Sequence, residues 1–208
     1  AKRIALHLGS FGYGLVAGFS ADGSRIWQKM IFSFSTLHRN IEKAVQIVQD
    51  ALLHGDLDDV CRLRDLIAER KNALHAALVP SGHVFARRAA GAVLTLPAWR
   101  DEQWHGRTQF RFMQKTAADY SAGNQLLRER LAELKKTVFV RDHLLVNITA
   151  GQDGLETAKS KIQPLLESFA SGTAEIKTPS ALPPPFPCVG VVVPSQVSFV
   201  ARAFQAPP

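Results

Sequence analysis

Apolar side chains recur along this chain mostly at helical spacing. Leu37, Ile41, Ala44, Val45, Val48 and Leu52 fall three and four residues apart, which predicts an amphipathic helix. Ser35 or Thr36 stands where an N-cap is needed, and Gly55 closes the run. Asp56 offers a second cap. Beyond it, Val60, Leu63, Ile67, Leu74 and Leu78 form the stripe of a second helix, with Arg62, Arg64, Glu69, Arg70 and Lys71 around its polar side. Pro80-Ser81-Gly82 interrupts that helix. Ala86, Ala89, Ala90, Ala92, Val93 and Leu96 then continue with a small-residue face that lets a neighbour approach closely. Pro97 suits a first helical turn, and Trp99, Trp104, Phe110, Phe112 and Met113 make an aromatic-rich helical stretch broken near Gly106. Leu127, Leu131, Leu134 and Val138 mark a helix over 122–137. Leu155, Ala158, Ile162, Leu165 and Phe169 mark a last one, which contains Pro164.

The remaining apolar runs are of strand type. Ile26 to Phe34 reads as a strand. The turn Ala21-Asp22-Gly23-Ser24 connects it to residues 4–19 in a hairpin. Gly9, Gly12, Gly14 and Gly18 favour loops or close backbone approach over a long regular strand in that first arm. His143 to Thr149 reads as a further strand. Thr178 to Pro187 is proline-dense and reads as a stiff linker, followed by short β-type runs at Val189–Val193 and Val197–Val200. The expected class is α+β, a mixed or antiparallel sheet backed by several helices. The expected division is 1–171 as most of one domain, 172–187 as interdomain linker and 188–208 as the first strands of a following domain.

Composition narrows the picture. With 208 residues, 46% of them hydrophobic, the chain can bury a real core. Its apolar runs are shorter than the ~20 residues that span a bilayer, so no membrane partner is expected. No secretory signal is expected from its opening residues. Cys61 and Cys188 lie far apart without metal-type spacing, and Cys61 reads as a small core hydrophobe. A reduced, cytoplasmic setting is the simplest expectation, with an organelle left open for a parent protein. The opening at Ala1 and the close at Pro208 read as cut ends of a longer polypeptide.

Catalytic signals are sparse. The seven histidines form neither His-Glu-x-x-His nor His-x-x-Glu-His. The glycine-rich Gly9–Gly14 stretch lacks a Walker lysine, and neither Ser10 nor Ser81 sits in a Gly-x-Ser-x-Gly elbow. Ser81 and His83 are near neighbours, but such neighbours rarely face each other in a helix. A formal charge of +7 raises the expectation of an acidic partner. Most arginines alternate with acidic residues as a solvated helix face would. Arg87 and Arg88, with Arg107 and Arg111, could line a surface for an acidic or carboxylate-bearing ligand. No recognised nucleic-acid motif accompanies them.

An ordered set of segments resembles one family. Arg62 to Lys71, Pro80-Ser81-Gly82-His83 through Ala90, Glu102-Gln103-Trp104-His105-Gly106 and Phe110-Arg111-Phe112 look like the C-terminal-half associated domain of presequence-protease-type zinc peptidases, in the pitrilysin/insulinase superfamily. Phe34 to Asn40, Leu144 to Gly151 and Val197 to Ala201 extend the likeness over roughly residues 12 to 203. Ser81, Gly82, His83 and Gly106 are structural members of these motifs. The resemblance implies an incomplete pitrilysin/insulinase-type domain. It also implies a non-catalytic role: helping a catalytic N-terminal half of the same polypeptide enclose short unfolded peptides. Zinc would belong to that N-terminal half, so no catalytic residue, metal ligand or cofactor is assigned here, and the chain alone is expected to be inactive. Strand edges left without partners are expected to self-associate or stay poorly ordered. The competing reading is a stand-alone basic helical module that binds nucleic acid or an acidic protein.

Overall fold

A computed structural model describes residues 2–172 and 190–204. The elements in chain order are α1 (Lys2–His7), β1 (Ser10–Phe19), β2 (Ile26–Ser35), α2 (Ile41–Leu53), α3 (Val60–Ala77), α4 (Gly82–Gly91), α5 (Leu96–His105), α6 (Arg107–Ala118), α7 (Tyr120–Val138) and α8 (Gln152–Glu167). Single 3-10 turns precede α2 at His38–Asn40 and follow α7 at Arg141–His143. The class is α+β, with one two-stranded antiparallel sheet among the described residues.

The chain folds as two units, each built from separated stretches. Within the described residues, the first takes 2–13, 32–59 and 125–172. Its core is the stripe of α2, where Ile41, Val45 and Val48 meet Ala158, Leu165 and Phe169 from α8 and just beyond it. On the other flank of α2, Ala44 and Ile47 close on Leu8 after α1. Each Ile, Val or Leu side chain of this kind contributes about 1.5–3 kcal/mol when fully buried. Phe139 joins this core through tilted ring contacts with Phe32 at 5.9 Å and Phe169 at 6.3 Å. The Lys135 ammonium donates to the Leu53 carbonyl at 2.7 Å, satisfying an open acceptor at the end of α2.

The second unit takes 14–31, 60–124 and 190–204. Helix α3 packs on α6, α5 on α6 and α4 on α5. Ile67 and Leu74 of α3 are buried, as are Phe110 of α6 and Tyr120. The Tyr120 hydroxyl donates to the Val60 carbonyl at 2.6 Å, tying the start of α7 to the start of α3. The connection from α5 to α6 turns on Gly106, with a backbone φ of −98° that any residue can adopt. What demands glycine there is space. A Cβ would lie 2.6 Å from the Glu102 carbonyl oxygen and 2.9 Å from its Oε1.

Several local expectations change. The first hairpin arm is a regular strand of 10 residues, Ser10–Phe19, despite its glycines, and residues 4–7 of the expected arm belong to helix α1 instead. Gly18 is filled across the pair by the Trp27 ring, which would lie 2.5 Å from a Cβ there. Gly23, at φ 72°, makes the turn. The Asp22 carboxylate accepts from Ser20 and Ser24 beside it, and those bonds lower its pKa to about 2. Ser35 and Thr36 do not cap α2: Ser35 pairs with the Ser10 hydroxyl, and Thr36 donates to the His7 carbonyl. Asp56 does not cap α3 either, because it accepts from the Asp58 N–H in a local turn. Cys61 is exposed rather than core. Two positions along a helix is about 200° of rotation, so the part-buried Leu63 and the exposed Cys61 fall on opposite sides.

Residues 144–150 form no strand. Their neighbour Val140 makes one isolated parallel bridge to Ala170, Leu144 and Ile148 turn onto the core, and Leu145 stays 80% exposed. The β1–β2 pair keeps both of its outer edges without a third strand among the described residues, so this run pairs with neither. Residues 190–204 likewise carry no strand. The proline-dense stretch, Cys188 and Val189 lie outside the described residues.

Candidate functional site

The strongest concentration of chemistry in the second unit lies where α4, the start of α5 and residues 199–204 meet. Helix α4 begins at Gly82, whose missing side chain is what admits the Phe199 ring: a Cβ would overlap that ring. Phe199 also rests against the His83 ring, centroids 6.1 Å apart. That anchorage sets the following residues beside α4. The result is a cleft of about 180 Å³, lined by Arg87, Arg88, Asp101 and Arg202 over a floor of small residues that includes Gly91 and Ala98.

The cleft's charge is organised from below. Thr95 caps α5 by accepting the Ala98 N–H at 3.2 Å, and Pro97 occupies the first turn. One turn on, the two Asp101 oxygens are both engaged. Oδ2 accepts from Arg88 Nε at 2.8 Å, and Oδ1 accepts from His105 Nδ1 at 2.8 Å. Arg88 also donates to the His105 carbonyl at 3.2 Å. Burial pushes the Asp101 carboxyl up, but the Arg88 and His105 hydrogen bonds and their charges outweigh it and hold it below the usual carboxylate range. Arg88 and Asp101 thus form a fixed, part-buried pair. Arg87 and Arg202 make no ion pair among the described residues, and the Arg202 guanidinium lies 4.6 Å from the centre of the Phe204 ring.

The structure therefore places Arg87 and Arg88 together and adds Arg202, which nothing in the order of residues sets beside them. Arg107 and Arg111 do not line the cleft. Arg107 is part-buried with its Nε unpartnered, and Arg111 is exposed. Gly82 and His83 act as the seat for Phe199. Ser81 closes the turn into α4 with backbone bonds, its N–H to the Ala77 carbonyl and its carbonyl to the Val84 N–H, both at 2.9 Å. No hydrogen bond joins Ser81 to His83 among the described residues. Gly106 gives Glu102 room to reach the start of α6, where its oxygens accept from the Thr108 N–H at 3.1 Å and the Thr108 hydroxyl at 2.6 Å. Sequence reasoning missed this cap because the acidic residue precedes the helix it serves, the reverse of the usual serine-first pattern.

Among the described residues, no three His, Cys, Asp or Glu side chains gather as a metal site would require. No helix among them is long and apolar enough to cross a membrane.

A family model described as peptidase-associated, for subfamily C of metallopeptidase family 16, matches residues 1–115. The chain is 25% identical over 150 residues to a mitochondrial presequence protease of Xenopus laevis, covering 72% of this chain and 14% of that protein. It is 27% identical over 150 residues to the mitochondrial presequence protease of Danio rerio, again 72% and 14%. The likeness to the mitochondrial presequence protease of Yarrowia lipolytica is 29% over 136 residues, 64% of this chain and 13% of that one. The chain thus spans about 14% of the length of the curated relatives it matches.

Proposed function

The chain belongs to the peptidase-associated family of metallopeptidase family 16, subfamily C, and from that premise we propose that it is a non-catalytic wall segment of a zinc metalloendopeptidase, helping to enclose short unfolded peptides. The observation that carries this reading is the match to relatives several times longer than the chain, three of them the presequence proteases described above. Zinc and the groups that do chemistry on the peptide bond are assigned to the rest of the polypeptide. What this chain supplies is surface. Helices that pack on one another give a rigid wall, and a wall that closes over a peptide excludes bulk water and folded proteins alike. The cleft between α4 and α5 gives that wall a cationic feature.

The test compares the chain alone, the whole polypeptide, and the whole polypeptide lacking the residues of this chain, using an internally quenched unfolded peptide. The whole polypeptide is expected to cleave it and to stop when a chelator is added. The chain alone is expected not to cleave. The deletion is expected to lose cleavage while keeping its zinc by metal analysis. Chelator-sensitive cleavage by the chain alone, or full cleavage by the deletion, overturns the proposal.

A further inference from the structure

We propose that the cleft formed by Arg87, Arg88 and Arg202 is a subsite for a peptide's C-terminal carboxylate. Its floor is small residues, Ala90, Gly91 and Ala98 on one side and Ala201 and Ala203 on the other, so backbone can approach the guanidinium groups closely. Its volume is about 180 Å³. Whole-ligand pockets are commonly ~300–1,000 Å³, so this one suits a terminal group rather than an entire ligand.

The charge count favours an anion. Among the described residues, Asp101 is the only carboxylate lining the cleft, and both of its oxygens are already occupied, by Arg88 and His105. That leaves Arg87 and Arg202 without a carboxylate, one on a helix and one held against Phe204. Two guanidinium groups on separate elements can each give a charge-assisted bond to one carboxylate oxygen, while Arg88 is already set by its own pair. A phosphate would satisfy the same donors. A peptide end fits better because the small-residue floor offers depth for a main chain and little else for a bulky anion to touch. A free terminus is also what distinguishes a short peptide from a segment of a long chain. The peptide part of this assignment rests on the chamber-wall reading; the anion-binding part rests on the cleft alone.

The experiment titrates the full chain with N-acetyl-trialanine as the free acid, with its C-terminal amide, and with inorganic phosphate, following the arginine Nε–H resonances by NMR. The acid is expected to shift the Arg87 and Arg202 signals, and the amide is expected to leave them in place. Both arginines are exposed, so Arg87→Ala and Arg202→Ala should fold normally, and each should weaken acid binding about tenfold. Arg87→Lys, which keeps the charge, should lose less. Four results each overturn the subsite: no shift with the acid, equal shifts with acid and amide, binding of phosphate but not the acid, or unchanged acid binding in the double variant Arg87→Ala/Arg202→Ala. Any of these can occur while the deletion test on the whole polypeptide still succeeds, so the two readings fail separately.

Discussion

Glu102 is 3% exposed and is the one buried charged or polar residue among the described residues. Its carboxylate spends both oxygens on Thr108, one on the N–H and one on the hydroxyl, at the opening turn of α6. Replacing it by alanine removes both bonds and leaves the Thr108 N–H without its partner at a helix start. Each hydrogen bond to a charged group contributes about 1.5–3 kcal/mol. The two share one carboxylate and one residue, so they do not add fully, and a net loss of about 3 kcal/mol is expected. For a chain of this size, that corresponds to a fall in Tm of about 6–12 °C. Glu102→Gln keeps the shape but has one acceptor oxygen for two donors, so about half the loss remains. Trp99 and Trp104 flank Glu102 on α5, so their fluorescence reports the unfolding of this region in a urea titration. Gly106→Ala should act through the same group, because its methyl would press on Glu102, and should be less than additive with Glu102→Ala. An alanine variant within about 0.5 kcal/mol of the parent would refute the argument, since that is the range of ordinary surface changes.

Three further expectations follow from the same structure. Asp101 has a lower pKa folded than unfolded, so its stabilisation is present above the ordinary carboxylate range and fades as pH falls through the lower folded value. Asp101→Asn should therefore be less stable than the parent in urea at about pH 7, with the gap closing towards about pH 3; a constant gap would contradict this. Gly82→Ala should drive the Phe199 ring off α4 and speed chymotryptic cleavage after Phe199, and an unchanged cleavage rate would show that the ring does not depend on that glycine. Tyr120→Phe deletes the bond to the Val60 carbonyl from a 7% exposed site and should cost about 1 kcal/mol in chemical denaturation; no change would mean that water replaces the hydroxyl.

What could be read from residue order was what depends on near neighbours. The α2 stripe is legible because Ile41, Ala44, Val45 and Val48 all bury on one face. Gly106 is legible as a break, and Pro97 as a first turn. The reasons behind them are less so, since the demand for glycine at 106 comes from a carboxylate reaching past it. The α7 stripe is only partly borne out, with Leu134 53% exposed. The run 143–149 misled because β propensity describes a residue's fit to a pleated surface and cannot supply the surface. Arg87 and Arg88 could be marked as a pair, being adjacent. Arg202 could not be joined to them, because what brings it there is an aromatic ring seated on a glycine far away in the chain.

The way the first unit is assembled sets a schedule during synthesis. The stripe of α2 emerges early, but its cover, Ala158, Leu165 and Phe169, is encoded far downstream. About a hundred residues must be added in between, which at ~5–20 residues per second takes on the order of 5–20 seconds. Throughout that interval Ile41, Val45 and Val48 have no α8 to cover them. A ribosome stalled after α2 has emerged but before Phe169 has been added therefore presents a nascent chain with a sticky helix, and the hazard ends when α8 is released.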